Sequence, residues 1–340
     1  MAARQRSIES TLGRKFIHRP PAAGASPSAV VLVLHGSAGM PSGATDCEAA
    51  AVGLETVLIG HDAWPTATIV FLTGRIVGTT NKMCCWAAGS DLGHCSSTID
   101  GQDEAYVNAV LDRLPAPSQS KPVYLFGYSG GARYAWRVAC DGTVASRLSA
   151  IGVHSGLLAE TIRDAADPTS VCALGSLPQV VAFHGGADAT TGVAYADATA
   201  HWFQMTAGCA STVSDGVLPG VAYSNAADYQ LQLYAPCANA SGASLAYYRL
   251  NGWGHNLLGA AWLDVMWQVW TTGPSSSPGI GVNSPPSVPG RGTAGEAMEV
   301  GQIATIIGGA CVGAVAFMAL AARVSMSSRA RRKAQEVPAA

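Results

Sequence analysis

Short runs of apolar residues recur along the chain, and segments with helical spacing lie between them. Val30–Leu34 ("VVLVL") and Thr68–Leu72 ("TIVFL") are continuous, largely β-branched runs, the pattern of a parallel strand buried on both faces. Val123–Phe126, Ala150–His154, Val180–Phe183 and Leu245–Leu250 read as further strands. Gly101–Leu114 carries Tyr106, Val107, Val110, Leu111 and Leu114 on one side, and Pro115 and Pro117 end it. Gly130–Cys140, Ala194–Ala207 (Trp202 and Phe203 inward) and the Trp-rich Ala260–Trp270 read as helices. This alternation predicts an α/β fold, with a mostly parallel central sheet and helices on both faces.

The pattern changes after residue 272. From 273 to 299 the chain is rich in Pro, Ser and Gly ("GPSSSPGIGVNSPPSVPG") and holds too little apolar surface to fold, so a stalk is expected. Residues 300–322 form a run of 23 without a charge. As a helix it would be about 34 Å long, enough to cross a bilayer. Arg323, Arg329, Arg331, Arg332 and Lys333 follow it. The expected organisation is an N-terminal extension (1–12), one globular domain (13–272), the stalk (273–299), a transmembrane helix (300–322) and a basic cytosolic tail (323–340). The positive-inside tendency places residues 1–299 outside the cell or in a lumen. Gly309 and Gly313 form a G-x-x-x-G, a weak pairing signal in so glycine-rich a segment, and the oligomeric state stays open.

Composition narrows the partners. Hydrophobic residues make up 49% and charged residues 12%, which suits a sizeable core and excludes a disordered chain. Residues 1–322 hold 15 basic and 21 acidic residues, so no polyanion or nucleic-acid partner is expected. Eight cysteines precede the apolar segment, and Cys311 lies within it. An even count suits disulfides in an oxidising compartment, and no spacing reads as a zinc site. No cofactor is expected. Asn239-Ala240-Ser241 is an N-glycosylation sequon, in keeping with that compartment. The first 20 residues contain no apolar leader. A tail-anchored chain would lack one too, but its bulk would face the reducing cytosol. The cysteines favour a start point downstream of a missing leader.

Gly127-Tyr128-Ser129-Gly130-Gly131 is a G-x-S-x-G, weak by itself in a chain with 39 glycines. Its context strengthens it: a predicted strand enters the motif and a predicted helix leaves it, as a nucleophile elbow requires. A serine nucleophile needs a base and an orienting acid. In the α/β-hydrolases, which such an elbow resembles, the acid comes first and the histidine base second, each on a loop beyond a later strand. Asp188 ("HGGADATTG") and His255 ("NGWGHNLLG") follow in that order, with Asp197 a poorer rival inside the next helix. An oxyanion needs two N–H donors. Gly130 should supply one, and the loop "LHGSAGM" the other, with Ser37 first and Ala38 next. His35 arrives too early in the order to be the base and reads as a structural hydrogen-bonder.

"VVLVLHG", "FGYSGGARYAWRVAC", "FHGGAD" and "YYRLNGWGH" together resemble the esterase and polyhydroxybutyrate depolymerase group of α/β-hydrolases, which includes feruloyl and acetylxylan esterases. The resemblance runs from about Gly13 to Trp270 and takes in "CWAAGSDLGHCSSTIDGQDEAYVNAVLDRL" ahead of the nucleophile strand. It implies a serine esterase acting on hydroxyalkanoate, feruloyl or acetyl-carbohydrate esters, as small molecules or polymers. It also implies a Cys209–Cys237 disulfide. Cys140 with Cys172 is the next pairing expected, and that among Cys47, Cys84, Cys85 and Cys95 is left open. The chain departs from the group in carrying Ser37 where relatives often have cysteine, and Trp253 before His255 rather than Trp-Pro after it. The polymer substrate is therefore not carried over. A peptidase or acyltransferase on the same triad, and an idle hydrolase fold serving surface adhesion, are the alternatives.

Overall fold

Ten strands form one sheet in the computed structural model, which describes residues 6–21, 25–40, 44–60, 63–78, 82–88, 95, 101–165, 167, 172, 178–216, 229–240, 242–257 and 259–273. The elements begin with β1 (Ser7–Thr11), β2 (Arg14–Arg19), β3 (Val30–Leu34), β4 (Ala38–Gly39), α1 (Glu48–Gly60), β5 (Thr68–Leu72), β6 (Arg75–Val77) and β7 (Met83–Cys85). There follow α2 (Gln102–Arg113), α3 (Ala116–Gln119), β8 (Val123–Tyr128), α4 (Gly130–Cys140), α5 (Gly142–Ala145), β9 (Ala150–His154) and α6 (Glu160–Arg163). The last are β10 (Gln179–Gly185), α7 (Val193–Ala207), β11 (Cys209–Gly216), β12 (Tyr229–Cys237), β13 (Ser244–Leu250) and α8 (Ala260–Thr272). All of them belong to one unit of the chain, Met1–Pro278.

The strand order is β1-β2-β5-β3-β8-β9-β10-β13-β12-β11. The six strands from β5 to β13 run parallel, and the two at either edge are antiparallel. This is an α/β-hydrolase-like fold: its mostly parallel sheet is what the alternation of runs predicts, and its type is what the resemblance implies. Because the central strands are parallel, the loops after β3, β8, β9, β10 and β13 all leave from one end of the sheet. After β3 the chain moves outward to β5 and then returns to place β8 on β3's other side. That reversal puts a topological switch point between β3 and β8, the position where open α/β sheets bind ligands.

Successive strand residues face opposite layers. Leu32, Leu34, Leu125, Ile151, Val153 and Leu245 join Tyr106, Val110, Tyr134 and Phe203 from α2, α4 and α7 in one core. On the other face, Tyr124 stacks on Trp270 of α8 at 4.9 Å and Phe183 meets Trp262 edge-on at 5.5 Å. Gly152 lies under α8, where an added Cβ would press into Met266 and Trp270.

The sheet begins at Ser7, so part of the expected 1–12 extension is an edge strand. Leu12 and Gly13, both at positive φ, make the two-residue turn into β2, the hairpin geometry that suits strand twist. The expected stalk beyond residue 273, the transmembrane helix and the tail lie outside the described residues. Among the described residues no helix is long and apolar enough to cross a membrane.

Eight cysteines form four disulfides: Cys47–Cys84, Cys85–Cys95, Cys140–Cys172 and Cys209–Cys237. The last joins the start of β11 to the end of β12 across a sequence separation of 28. Constraining an unfolded loop of that size stabilises a fold by about 3.6 kcal/mol in the chain-entropy account. Replacing both residues by Ala should lower the unfolding free energy by that amount in urea titrations. An unchanged midpoint would mean that the edge hairpin holds without its cross-link.

Candidate active site

β8 delivers Ser129 into a sharp turn at φ +52° and ψ −116°, and α4 starts at the next residue. A non-glycine residue held there costs about 1–3 kcal/mol and persists only when its surroundings enforce it. The enforcement is visible. Ser129 N–H donates to His154 O at 2.8 Å, and Ser129 O accepts from Arg133 N–H at 3.1 Å. A Cβ on Gly127 would stand 2.7 Å from Ala132 Cα, and one on Gly131 would stand 2.6 Å from His35 O. Both glycines are therefore positions of close backbone approach, which separates this G-x-S-x-G from a chance one.

The three residues predicted to act together do meet. His255 Nε2 lies 2.9 Å from Ser129 Oγ, and His255 Nδ1 lies 2.8 Å from Asp188 Oδ2. The other carboxylate oxygen, Asp188 Oδ1, accepts from the amides of Thr190 and Thr191 at 2.9 and 2.8 Å. Burial pushes the Asp188 carboxyl up, but the hydrogen bonds from His255 and the Thr191 amide outweigh it, and the net shift is downward. An ionised Asp188 places the proton of a neutral His255 on Nδ1, leaving the Nε2 lone pair to accept from the Ser129 hydroxyl. The rival Asp197 accepts from Tyr247 Oη at 2.8 Å instead.

The loop after β3 packs on this elbow. A Cβ on Gly36 would stand 3.1 Å from Ser129 Cβ, and one on Gly130 would stand 2.9 Å from Ser37 N. The amides of Ser37 and Gly130 thus lie close together beside Ser129, and among the described residues neither donates to a protein acceptor. α4 adds the partial positive charge of its N-terminus.

His35 is structural, as expected. Its Nδ1–H donates to Gly36 O at 2.6 Å, and its Nε2 accepts from Gly74 N–H at 2.8 Å. Burial pulls its pKa down to about 4, so the ring is neutral. Trp86 Nε1–H donates to His35 O at 2.9 Å. The next amide, Ala87, donates to the buried Asp103 at 2.7 Å, and Arg14 pairs with Asp103 at 2.5 Å while lying over the Tyr106 ring. From outside, β4 pairs with β7, and Ser37 Oγ lies 3.2 Å from Cys95 Sγ. Sequence reading did not single out Asp103, Tyr128 or His154. A buried acid opening the helix after "CW", and a histidine ending an otherwise apolar strand, were the signals.

No family model matches the chain, and no curated protein matches it in sequence. Among solved structures it is similar to the acetyl xylan esterase from Aspergillus awamori, at 14% identity and a TM-score of 0.49 over 79% of this chain and 100% of that one. The Bacillus cereus carboxylesterase gives 14% and 0.46 over 78% and 96%. Acyl-protein thioesterase 2 of Zea mays gives 14% and 0.45 over 78% and 98%.

The buried imidazoles set a pH dependence. Burial lowers the pKa of both His35 and His154 to about 4. An unfolded chain binds those protons near pH 6.5, so it holds more protons than the fold between about 6.5 and 4. Stability is therefore full above about pH 6.5 and is lost as the pH falls towards 4. Melting temperatures taken from pH 7 to pH 4 should drop steadily; a flat profile would contradict the neutral, buried state of these rings.

Proposed function

We propose that this protein is a serine esterase that hydrolyses carboxylic esters through Ser129, His255 and Asp188. The observation that carries the reading is the continuous Ser129–His255–Asp188 hydrogen-bonded chain at the end of the parallel strands. Ser129 Oγ attacks the ester carbonyl as His255 Nε2 takes its proton. The C=O electrons move onto the oxygen, which the amides of Ser37 and Gly130 receive. The C–O bond then breaks, and Nε2 returns the proton to the leaving alcohol. Water attacks the acyl-enzyme by the same route in reverse, releasing the acid and free Ser129. Asp188 holds the tautomer and stabilises the imidazolium.

The chemistry needs no cofactor. The substrate class proposed is the ester of a hydroxyalkanoate, a ferulate or an acetylated carbohydrate. The catalytic unit is proposed to sit outside the cell or in a lumen, anchored by the 300–322 helix; the disulfides support an oxidising setting. An idle binding module would have no need of the complete hydrogen-bonded chain.

Purified protein should cleave p-nitrophenyl acetate, and Ser129→Ala should lose at least about 10⁴-fold in kcat. Equal rates for the two would sink the proposal. Methyl ferulate, hydroxybutyrate oligomers and acetylated xylan, assayed side by side, would separate the three substrate classes.

A further inference from the structure

The base sits on a loop, and loops need fixing if a base is to hold about 0.5 Å tolerance. Two side chains outside the triad grip that loop. Tyr128 is the variable residue of the G-x-S-x-G and immediately precedes the nucleophile. Its Oη–H donates to the backbone carbonyl of His255 at 2.7 Å. The same ring packs on the oxyanion loop, where a Cβ on Gly36 would stand 3.2 Å from Tyr128 Cδ1. It also lies 5.6 Å, centroid to centroid, from both the His154 and the His255 rings.

His154 ends β9 and is fully buried. Its Nε2 lies 2.5 Å from Asn256 O, which Trp253 Nε1–H also approaches at 3.0 Å. Its own carbonyl accepts the Ser129 N–H at 2.8 Å. Burial keeps this imidazole neutral, with its pKa at about 4. His154 Nδ1 also lies 3.2 Å from Phe183 O, and the shorter contact to Asn256 O assigns the single proton of the neutral ring to Nε2. One residue therefore bonds the nucleophile's backbone through its C=O and the base loop through its ring.

We propose that Tyr128 and His154 are positioning residues that register the His255 loop to the Ser129 elbow. Tyr128 ties the carbonyl of residue 255, and His154 ties that of residue 256. The inference rests on the proposed triad. Neither residue touches the reacting atoms in this arrangement; each acts through His255. The effect belongs in kcat, because a loop free to drift misplaces Nε2 without removing any group that binds the ester.

Tyr128→Phe removes one oxygen and leaves the ring stack in place. On p-nitrophenyl acetate, with active sites counted by phosphonate titration, kcat should fall about 10- to 100-fold. KM should stay within about twofold, since uniform binding is untouched. On a His255→Ala background the same change should have no further effect, because the residue it positions is gone. His154→Leu should also lower kcat, and His154→Gln, whose amide N–H can still reach Asn256 O, should recover part of the loss. Unchanged kcat in Tyr128→Phe beside an active wild type overturns the inference alone. So does an equal fall on the His255→Ala background, which would mark Tyr128 as merely structural. A wild type that neither cleaves the ester nor is phosphonylated overturns the proposed function and this inference with it.

Discussion

The contact between the Ser129 elbow and the loop after β3 is the constraint on which the rest depends. Gly131 lies so close to His35 O that no side chain fits, and Gly127 is pressed against the first turn of α4. That approach puts Ser129 in a strained conformation and brings the amides of Gly130 and Ser37 beside it. An α/β sheet with parallel central strands supplies the approach, because β3 and β8 are neighbours whose connections leave in opposite directions. The strain at Ser129 is held by bonds from the next strand, β9, and from α4. The site is thus a property of the sheet's end and not of any single loop.

Around that contact several buried charges and rings have defined roles. Asp188 is ionised and divides its oxygens between His255 and the turn that carries it. His35 and His154 are kept neutral by burial, and each uses its ring to hold a backbone carbonyl. Asp103, buried and paired with Arg14, fixes the Trp86 segment that steadies His35. Neutral histidines tie loops without carrying a charge through the core, and the buried carboxylate of Asp188 is the one bonded to His255.

Much of this was legible in the chain. The runs "VVLVL" and "TIVFL" are buried on both faces, and such runs leave little freedom to be anything but central strands. The elbow, Asp188 and His255 follow from strand ends, because a parallel sheet delivers every such end to one edge. What escaped had weaker local signals. β11 is an exposed edge strand of polar residues, whose pairing depends on the partner rather than on its own pattern. β12 alternates Tyr229, Leu231 and Leu233 with Gln230 and Gln232, a period-two pattern obscured by the cysteine framework around it. Tyr128 and His154 act through backbone carbonyls of a distant loop, a relation no single-sequence pattern encodes. The Cys85–Cys95 pairing is likewise set by where the small β4-β7-β6 sheet lies.

The central claim is that Ser129, activated by His255, is the nucleophile. It is tested most directly by treating the intact protein with a fluorophosphonate and locating the adduct by peptide mass spectrometry. The account predicts one stoichiometric adduct, on the peptide containing Ser129, formed in the wild type and lost when His255 is replaced by Ala. An adduct on another serine, or no adduct on active protein, would contradict it.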